Sequence, residues 1–139
     1  MDGNAMKAAA KAFLTEFSGG DPAAAWARTS DDFRWVMNQH DVDSGARLTF
    51  DRAQYSAMVE GAADLFPKGI SLQITDALAD GNRVALEVNG HGELADGRVY
   101  ANHYIFTFTF NGDRITEITE YLDTAYAQAA LSFVIQAPA

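Results

Sequence analysis

The chain has 139 residues, no cysteine and a formal net charge of -9, from 19 acidic and 10 basic side chains. This charge repels nucleic acid and anionic lipid, and the lack of cysteine excludes disulfides, thiol nucleophiles and cysteine-ligated zinc. With 48% hydrophobic residues, residues 1–139 can form a single domain with a substantial core. The polar, acidic N-terminus does not predict a signal peptide and no apolar run could span a bilayer, so we expect a cytoplasmic protein.

Two helices are predicted at the start of the chain. Asn4 is expected to cap the first, which runs to about Phe17 with an apolar stripe at helical spacing. Asp21 and Pro22 follow a pair of glycines and are typical of an N-cap and a first helical position. They predict a short second helix through Trp26.

A strand and a third helix are expected next. Phe33, Trp35 and Met37 alternate with polar residues, which predicts a short strand over 31–37. Residues 38–47 form a polar stretch that we interpret as a loop over the mouth of a pocket. Thr49 is expected to cap the third helix, which ends near Pro67.

From Ile70 onward the pattern is that of strands joined by tight turns. Apolar residues alternate with others over 70–74 and 84–88, and the turns at 80–82 and 95–97 contain glycine. Helices followed by a meander of strands indicate an α+β layered architecture in which most neighbouring strands are antiparallel.

The last third of the chain carries the clearest signal. Large apolar residues occupy every second position from Tyr100 to Phe110, interrupted only by Asn102, which predicts a long strand with one buried face. The sequence of residues 111–113, Asn-Gly-Asp, predicts a turn into a last strand over 114–122. A polar Asn102 on such a face needs a partner or a ligand, since burial without one costs about 1–3 kcal/mol.

Three stretches resemble those of a known superfamily. They are Asp-Gly-Arg-x-Tyr-x-Asn-x-Tyr at 96–104, Asn-Gly-Asp-Arg-Ile at 111–115 and Glu-Tyr-Leu-Asp at 120–123. With the helical pattern they resemble nuclear transport factor 2 and its SnoaL-like relatives. The resemblance implies a cone-shaped α+β fold, in which three N-terminal helices wrap a curved, mostly antiparallel sheet around a pocket. The relatives include ketosteroid isomerases, polyketide cyclases and limonene epoxide hydrolases, and the fold does not select among them.

The resemblance allows some catalytic positions to be compared. Limonene epoxide hydrolases carry Arg-x-Asp on the third sheet strand and Asp before the Tyr of the last strand. The matching positions here are Glu87, Asn89 and Glu120, so the arginine and the first aspartate are missing. Those enzymes also use Tyr and Asn on the first strand, where Trp35 and Met37 stand. The sequence therefore argues against water activation on an epoxide.

Two carboxylates are candidates for general acid/base chemistry. Glu120 lies between Ile118 and Leu122 on one face of the last strand, and burial there would raise its pKa toward a useful range. The alternatives are an exposed side chain on the outer face of the sheet or an ion-pair partner of Arg114. The alternation of apolar residues predicts that Glu87 points outward, whereas the family resemblance implies that Glu87, Asn89 and His91 point toward the pocket. We favour the orientation that the resemblance implies. In that case we expect another subunit to cover the outer face of the sheet. His91 is then a possible proton shuttle, and a structural or exposed histidine is the alternative.

Other residues are predicted to bind the ligand. Asn102 and Tyr104 share the face of the phenylalanine run and could donate to a carbonyl or enolate oxygen, although Asn102 could equally serve only to satisfy the core. The remaining wall residues are Trp35, Phe33, Tyr55 and Met58. His40, Asp41 and Asp43 match no metal-ligand spacing, so we expect no metal and no other cofactor.

These observations predict a small protein that binds a small hydrophobic molecule and uses carboxylate acid/base chemistry as a cofactor-independent isomerase, cyclase or dehydratase. The alternative is a non-catalytic ligand-binding or dimerisation module of the same fold. In either case we expect a homodimer that joins outer sheet faces, and neither a nucleic acid nor a membrane partner.

Overall fold

The computed structural model describes residues 1–131, which fold into an α+β structure of helices packed on one curved sheet. The helices are α1 (Gly3–Ser18), α2 (Pro22–Trp26), α3 (Arg52–Ala62) and α4 (Thr124–Leu131), and a 3-10 turn (Ala63–Leu65) follows α3. The strands are β1 (Thr29–His40), β2 (Arg47–Phe50), β3 (Ile70–Asp80), β4 (Arg83–Glu93), β5 (Val99–Asn111) and β6 (Arg114–Leu122). Within the described residues, no helix is both long and apolar enough to cross a membrane.

The six strands form one sheet in the order β2-β1-β6-β5-β4-β3. Among the strands of residues 1–131, only the β1–β6 pair is parallel, and the other neighbours are antiparallel. The parallel pair joins the first strand to the last, so that Trp35 lies beside Ile118 and Met37 lies beside Glu120. This long-range pairing brings two distant parts of the chain together at the candidate site.

The predicted hairpin of β5 and β6 is confirmed. Gly112 has φ 61°, a conformation that glycine adopts without strain, and it turns the chain between the strands. Along β5, Tyr100, Phe106, Phe108 and Phe110 are buried on the inner face, as their alternation predicts. The helices cover this face, and Phe13 of α1 packs edge-on against Phe108 with ring centroids 6.0 Å apart.

Two helix caps differ from the prediction. Asp2 rather than Asn4 caps α1, through a hydrogen bond from the Ala5 amide to Oδ1. Asp51 rather than Thr49 caps α3, because β2 extends through Phe50. The short second helix has the predicted start, with the Asp21 side chain accepting from the Ala24 amide and Pro22 in the first turn.

The predicted polar loop over 38–47 is partly strand. β1 continues to His40 and β2 begins at Arg47, and their pairing satisfies backbone groups that a loop would leave to water. Helix α4 occupies the first part of the C-terminal segment that the sequence pattern left unassigned. The rest of that segment, 132–139, lies outside the described residues.

Candidate functional site

A cavity of about 370 Å³ lies between the inner face of the sheet and the helices α1, α3 and α4. Most of its wall is apolar or aromatic. The elements that contribute are α1 (Leu14, Phe17), β1 (Trp35, Met37), α3 (Tyr55, Met58, Val59), β5 (Tyr100, Tyr104, Phe106), β6 (Glu120, Leu122) and α4 (Ala127, Gln128, Leu131). A small organic molecule with an apolar body suits a cavity of this size and lining.

Glu120 lies in this wall and is 8% exposed. Its Oε1 accepts two hydrogen bonds, one from Trp35 Nε1 and one from the Tyr55 hydroxyl, each at 3.0 Å. No residue within 1–131 forms a hydrogen bond to Oε2. One carboxyl oxygen is therefore held in place by the protein, while the other has no partner in the described part of the chain.

The electrostatic environment of Glu120 combines two opposing effects. Burial raises the pKa of Glu120, and the hydrogen bonds from Tyr55 and Trp35 oppose this effect because they favour the charged form. Burial is the larger effect, so the net direction is upward. Burial, together with the nearby Glu120 charge, also keeps the pKa of Tyr55 well above its usual value. Tyr55 therefore stays protonated and acts as a donor to Glu120.

The two donors to Glu120 are positioned by different elements. Trp35 belongs to β1, whose parallel pairing with β6 sets its distance from Glu120. Tyr55 lies in the first turns of α3, which a capping box starts: Asp51 accepts from the Gln54 amide at 2.8 Å, and the Gln54 side chain accepts from the Asp51 amide at 2.9 Å. The two rings stack with centroids 3.8 Å apart and planes 16° apart, which restricts both.

A second polar group, the Tyr104 hydroxyl, belongs to a hydrogen-bonded chain that begins at Asn102. Asn102 Oδ1 accepts from the backbone amides of His103 (2.8 Å) and Asp123 (3.3 Å), which fixes the orientation of its amide. Its Nδ2 then donates to the Tyr100 hydroxyl at 2.8 Å and to the Asp123 carbonyl at 3.1 Å. The Tyr100 and Tyr104 hydroxyls are 3.0 Å apart.

Either tyrosine can be the donor in the Tyr100–Tyr104 hydrogen bond, and both residues line the cavity. Within residues 1–131, each of the two hydroxyls has the other as its only acceptor, and we take the arrangement in which Tyr100, which already accepts from Asn102, donates to Tyr104. With the Tyr100 proton placed there, the proton of Tyr104 is left for another acceptor, and Tyr104 lines the cavity. Burial raises the pKa of Tyr104 further above its ordinary value, and Glu120 adds to this effect, so the hydroxyl stays protonated.

Glu87, Asn89 and His91 lie on the opposite, outer face of the sheet, which corrects the predicted orientation. In β4, Val84, Leu86 and Val88 are buried on the inner side, while Glu87 and His91 are exposed. The side chain of Asn89 lies 2.7 Å from His103 Nδ1. The physical reason is the two-residue period of a strand, which cannot turn both Val88 and Glu87 inward.

The other predicted ligand residues divide into two groups. Trp35, Tyr55, Met58 and Tyr104 line the cavity. Phe33 is buried in the core against Trp26, with ring centroids 5.6 Å apart, and it does not line the cavity. Asn102 is also buried and does not line the cavity. Its side-chain amide forms four hydrogen bonds within the protein, two through Nδ2 and two through Oδ1.

Residues 38–47 were predicted to border the pocket mouth. Gln39 of this stretch lines the cavity, whereas residues 40–47 do not, and Asp41 accepts hydrogen bonds from the amides of Asp43 (3.0 Å) and Ser44 (2.8 Å). These bonds lower the pKa of Asp41, with the Ser44 amide as the largest cause. In the part of the chain that is described, no three acidic or histidine side chains cluster in a way that could hold a metal.

The sequence analysis missed Tyr100 and the hydrogen-bonding role of Trp35. Trp35 was expected only to form wall surface, yet a buried indole N–H needs an acceptor, and this requirement could have pointed to a carboxylate. Tyr100 belongs to the apolar run of β5, and its buried hydroxyl likewise needs a hydrogen-bond partner. The α4 contribution to the cavity had no signal in the sequence pattern.

Comparison with known structures shows the same fold in several proteins of low sequence identity. AclR from Streptomyces galilaeus, a proposed hydroxylase, is 15% identical with a TM-score of 0.76 and coverage of 99% of this chain and 91% of that chain. A protein with a ketosteroid isomerase-like fold from Catenulispora acidiphila, solved with trimethylamine, is 20% identical with a TM-score of 0.69 and coverage of 91% and 93%. A proposed polyketide cyclase from Acidithiobacillus ferrooxidans is 17% identical with a TM-score of 0.68 and coverage of 92% and 94%.

Sequence comparison identifies the family. A search of curated proteins gave no significant match. The model of the SnoaL-like domain matches residues 10–118, which run from the middle of α1 to Ile118 of β6 and include most of the residues that line the cavity, although Glu120 lies just beyond the match. This chain therefore belongs to the SnoaL-like domain family.

Proposed function

We propose that the protein binds a small apolar molecule with a carbonyl group in the cavity and catalyses a cofactor-independent proton transfer on it. Isomerisation, cyclisation and dehydration are the reaction types that this chemistry serves. The observation that carries the proposal is the Glu120 carboxyl, buried in an apolar wall and held through one oxygen by Trp35 and Tyr55. A carboxyl with a raised pKa is suited to exchange protons near neutral pH.

The proposed mechanism uses two side chains of the wall. The ionised Glu120 removes a proton from the carbon next to the substrate carbonyl, and the electron pair of that C–H bond moves to the carbonyl oxygen. The free proton of Tyr104 hydrogen-bonds to this developing enolate oxygen and stabilises it. Where the substrate also has a β,γ carbon–carbon double bond, the enolate is conjugated with it; Glu120 then returns the proton to the γ-carbon while the C=O bond re-forms and the double bond shifts to the α,β position, so that the enzyme ends in its starting state.

The relatives give this proposal family-level support. Their names include a polyketide cyclase and a hydroxylase, both proposed, on the same fold. The roles of Glu87 and His91 as base and shuttle receive no geometric support, because both side chains are on the outer face of the sheet. Glu120 is thus the carboxylate that we propose as the base.

Proton transfer can be tested before the natural substrate is known. A panel of small ketones and enones is incubated with the protein in D₂O, and deuterium exchange next to the carbonyl is followed by NMR. We expect exchange with the wild type, loss of it in Glu120→Gln, and no change in Glu87→Gln, which removes an equal charge from the outer face. Equal exchange by the wild type and Glu120→Gln would count against the mechanism.

A second candidate function is association without catalysis, with a second copy of the chain as the partner. The outer sheet face favours it, because Ile105 (42% exposed) and Val99 (57% exposed) lie there on β5. The buried Thr107 Oγ1 has no hydrogen-bond partner among the described residues and lies on the same face. Sedimentation analysis of the wild type and Ile105→Lys tests this: we expect a dimer that the lysine dissociates, and a wild-type monomer would refute it.

A further inference from the structure

The cavity carries a single formal charge among its described residues. Glu120 is its only acidic side chain, and no lysine, arginine or histidine within residues 1–131 lines it. The groups that face Glu120 are Trp35 from β1, Tyr55 from α3 and Tyr104 from β5, none of which carries a positive charge. An ionised Glu120 therefore has hydrogen-bond donors but no counterion within the described part of the chain.

The wall around this charge is unusually aromatic. Phe17, Trp35, Tyr55, Tyr104 and Phe106 all line the cavity. The faces of such rings are electron-rich and attract cations, most strongly where water is excluded. Aromatic rings beside a carboxylate are the combination by which proteins bind substituted ammonium ions, whose apolar groups contact the rings while the charge meets the acid.

We propose that this cavity accepts a lipophilic ammonium ion, a substituted amine with an apolar body, with Glu120 as its counterion. The proposal rests on the ligand-binding part of the proposed function and goes beyond it by naming a second class of ligand. The cation would take the place that a carbonyl substrate occupies in catalysis. It would therefore bind as a substrate or as a competitor at the same site.

The affinities for an ammonium ion and for a neutral carbonyl compound should depend differently on pH. A cation needs the ionised Glu120, so its affinity increases as the pH rises through the pKa of that carboxyl. By linkage, the bound cation lowers this pKa. A neutral carbonyl acceptor has no such need and gains a further donor when Glu120 is protonated, so its affinity does not increase with pH.

The test uses two probes that differ only in charge. Phenyltrimethylammonium has a permanent charge, and tert-butylbenzene is its neutral isostere, so neither probe titrates. Binding of each is measured by calorimetry between pH 5 and 8 with the wild type, Glu120→Gln and Glu117→Gln. Glu117 lies on the same strand as Glu120 but on the other face, so its variant controls for net charge.

We expect the wild type to bind the cation about tenfold more tightly than the isostere, as a desolvated cation–π contact and an ion pair would give. This preference should grow with pH, disappear in Glu120→Gln and persist in Glu117→Gln. If tert-butylbenzene binds and the cation binds no better, the inference is refuted while the proposed ligand-binding role stands. If neither probe binds, both fail. The pH series with the wild type decides the question even if Glu120→Gln does not fold.

Discussion

Trp35 and Tyr55 stack with ring centroids 3.8 Å apart and donate to the same oxygen of Glu120. The two donors come from a strand and a helix that are separate in sequence. Their arrangement fixes one oxygen of the carboxyl and restricts its rotation, which is the condition for directed proton transfer. A buried acid held in this way is costly for stability, and such costs are typical of functional sites.

Loss of the Glu120 carboxyl should abolish proton transfer with little effect on structure. Glu120→Gln keeps the size of the side chain and an oxygen that can accept from Trp35 and Tyr55, so we expect an unchanged circular dichroism spectrum. Removal of a general base costs roughly 10²–10⁴ in rate. Turnover of any substrate found by deuterium exchange measures this loss, and a variant that retains more than half of the wild-type rate would contradict the assignment.

The tyrosine chain predicts unequal effects of two similar substitutions. Tyr104→Phe removes the proposed donor to the substrate oxygen and should reduce turnover about a hundredfold. Tyr100→Phe keeps that donor but frees it to turn toward other acceptors, so we expect a smaller loss. The comparison of kcat for the two variants checks this order. A larger loss in Tyr100→Phe than in Tyr104→Phe would show that the donor has been misassigned.

Stability should depend on pH through Glu120. Because burial raises its pKa in the folded state, the stabilisation from the protonated form is fully present below the ordinary glutamate pKa, about 4.3. It is lost as the pH rises through the raised folded-state value. Glu120→Gln has no such loss, so its free energy of unfolding relative to the wild type should increase with pH over this window. Urea unfolding at a series of pH values measures the difference, and a constant difference would rule out a raised pKa.

The helix that carries Tyr55 depends on its N-terminal cap. Asp51→Ala removes the acceptor for the Gln54 amide and should destabilise the protein by about 1 kcal/mol. Thr49, which the sequence suggested as the cap, is exposed in β2, so Thr49→Ala is the matched control and should cost less. Urea unfolding of both variants tests the order of these effects, which would be reversed if Thr49 were the cap.

Asn102 is predicted to support the site from within the core. Asn102→Ala leaves the Asp123 amide without its acceptor and removes one of the two hydrogen bonds of the Tyr100 hydroxyl, at a cost of about 1–3 kcal/mol. Thermal unfolding should show this loss. Turnover should fall by less than in Tyr104→Phe, because Asn102 acts on the ligand only through the two tyrosines.

The sequence predicted the β5–β6 hairpin well because its signal is local. The alternation of large apolar residues from Tyr100 to Phe110 and the glycine turn both lie within a few residues of what they determine. The same alternation in β4 placed Val88 inward and Glu87 outward. The family resemblance predicts the opposite orientation for Glu87, and that prediction is wrong because the apolar residues of β4 occupy the inner face.

The composition of the site was harder to predict because its contacts are long-range. Trp35 and Glu120 are 85 positions apart in sequence and meet only because β1 pairs with β6 in parallel. No local pattern encodes that pairing. Strand β2 was missed for a related reason, since its four residues are too few to show a period and gain their stability from β1.

The central claim is that Glu120 is a cavity carboxyl whose pKa lies above the ordinary glutamate value. Carboxyl ¹³C NMR of the wild type over a pH series measures this pKa directly, with Glu120→Gln used to assign the resonance. We expect the Glu120 resonance to titrate clearly above the ordinary glutamate value, because burial raises the pKa of this carboxyl. A Glu120 resonance that titrates at or below the ordinary value would contradict the account, because the carboxyl would then be a weak base with no advantage over one in water.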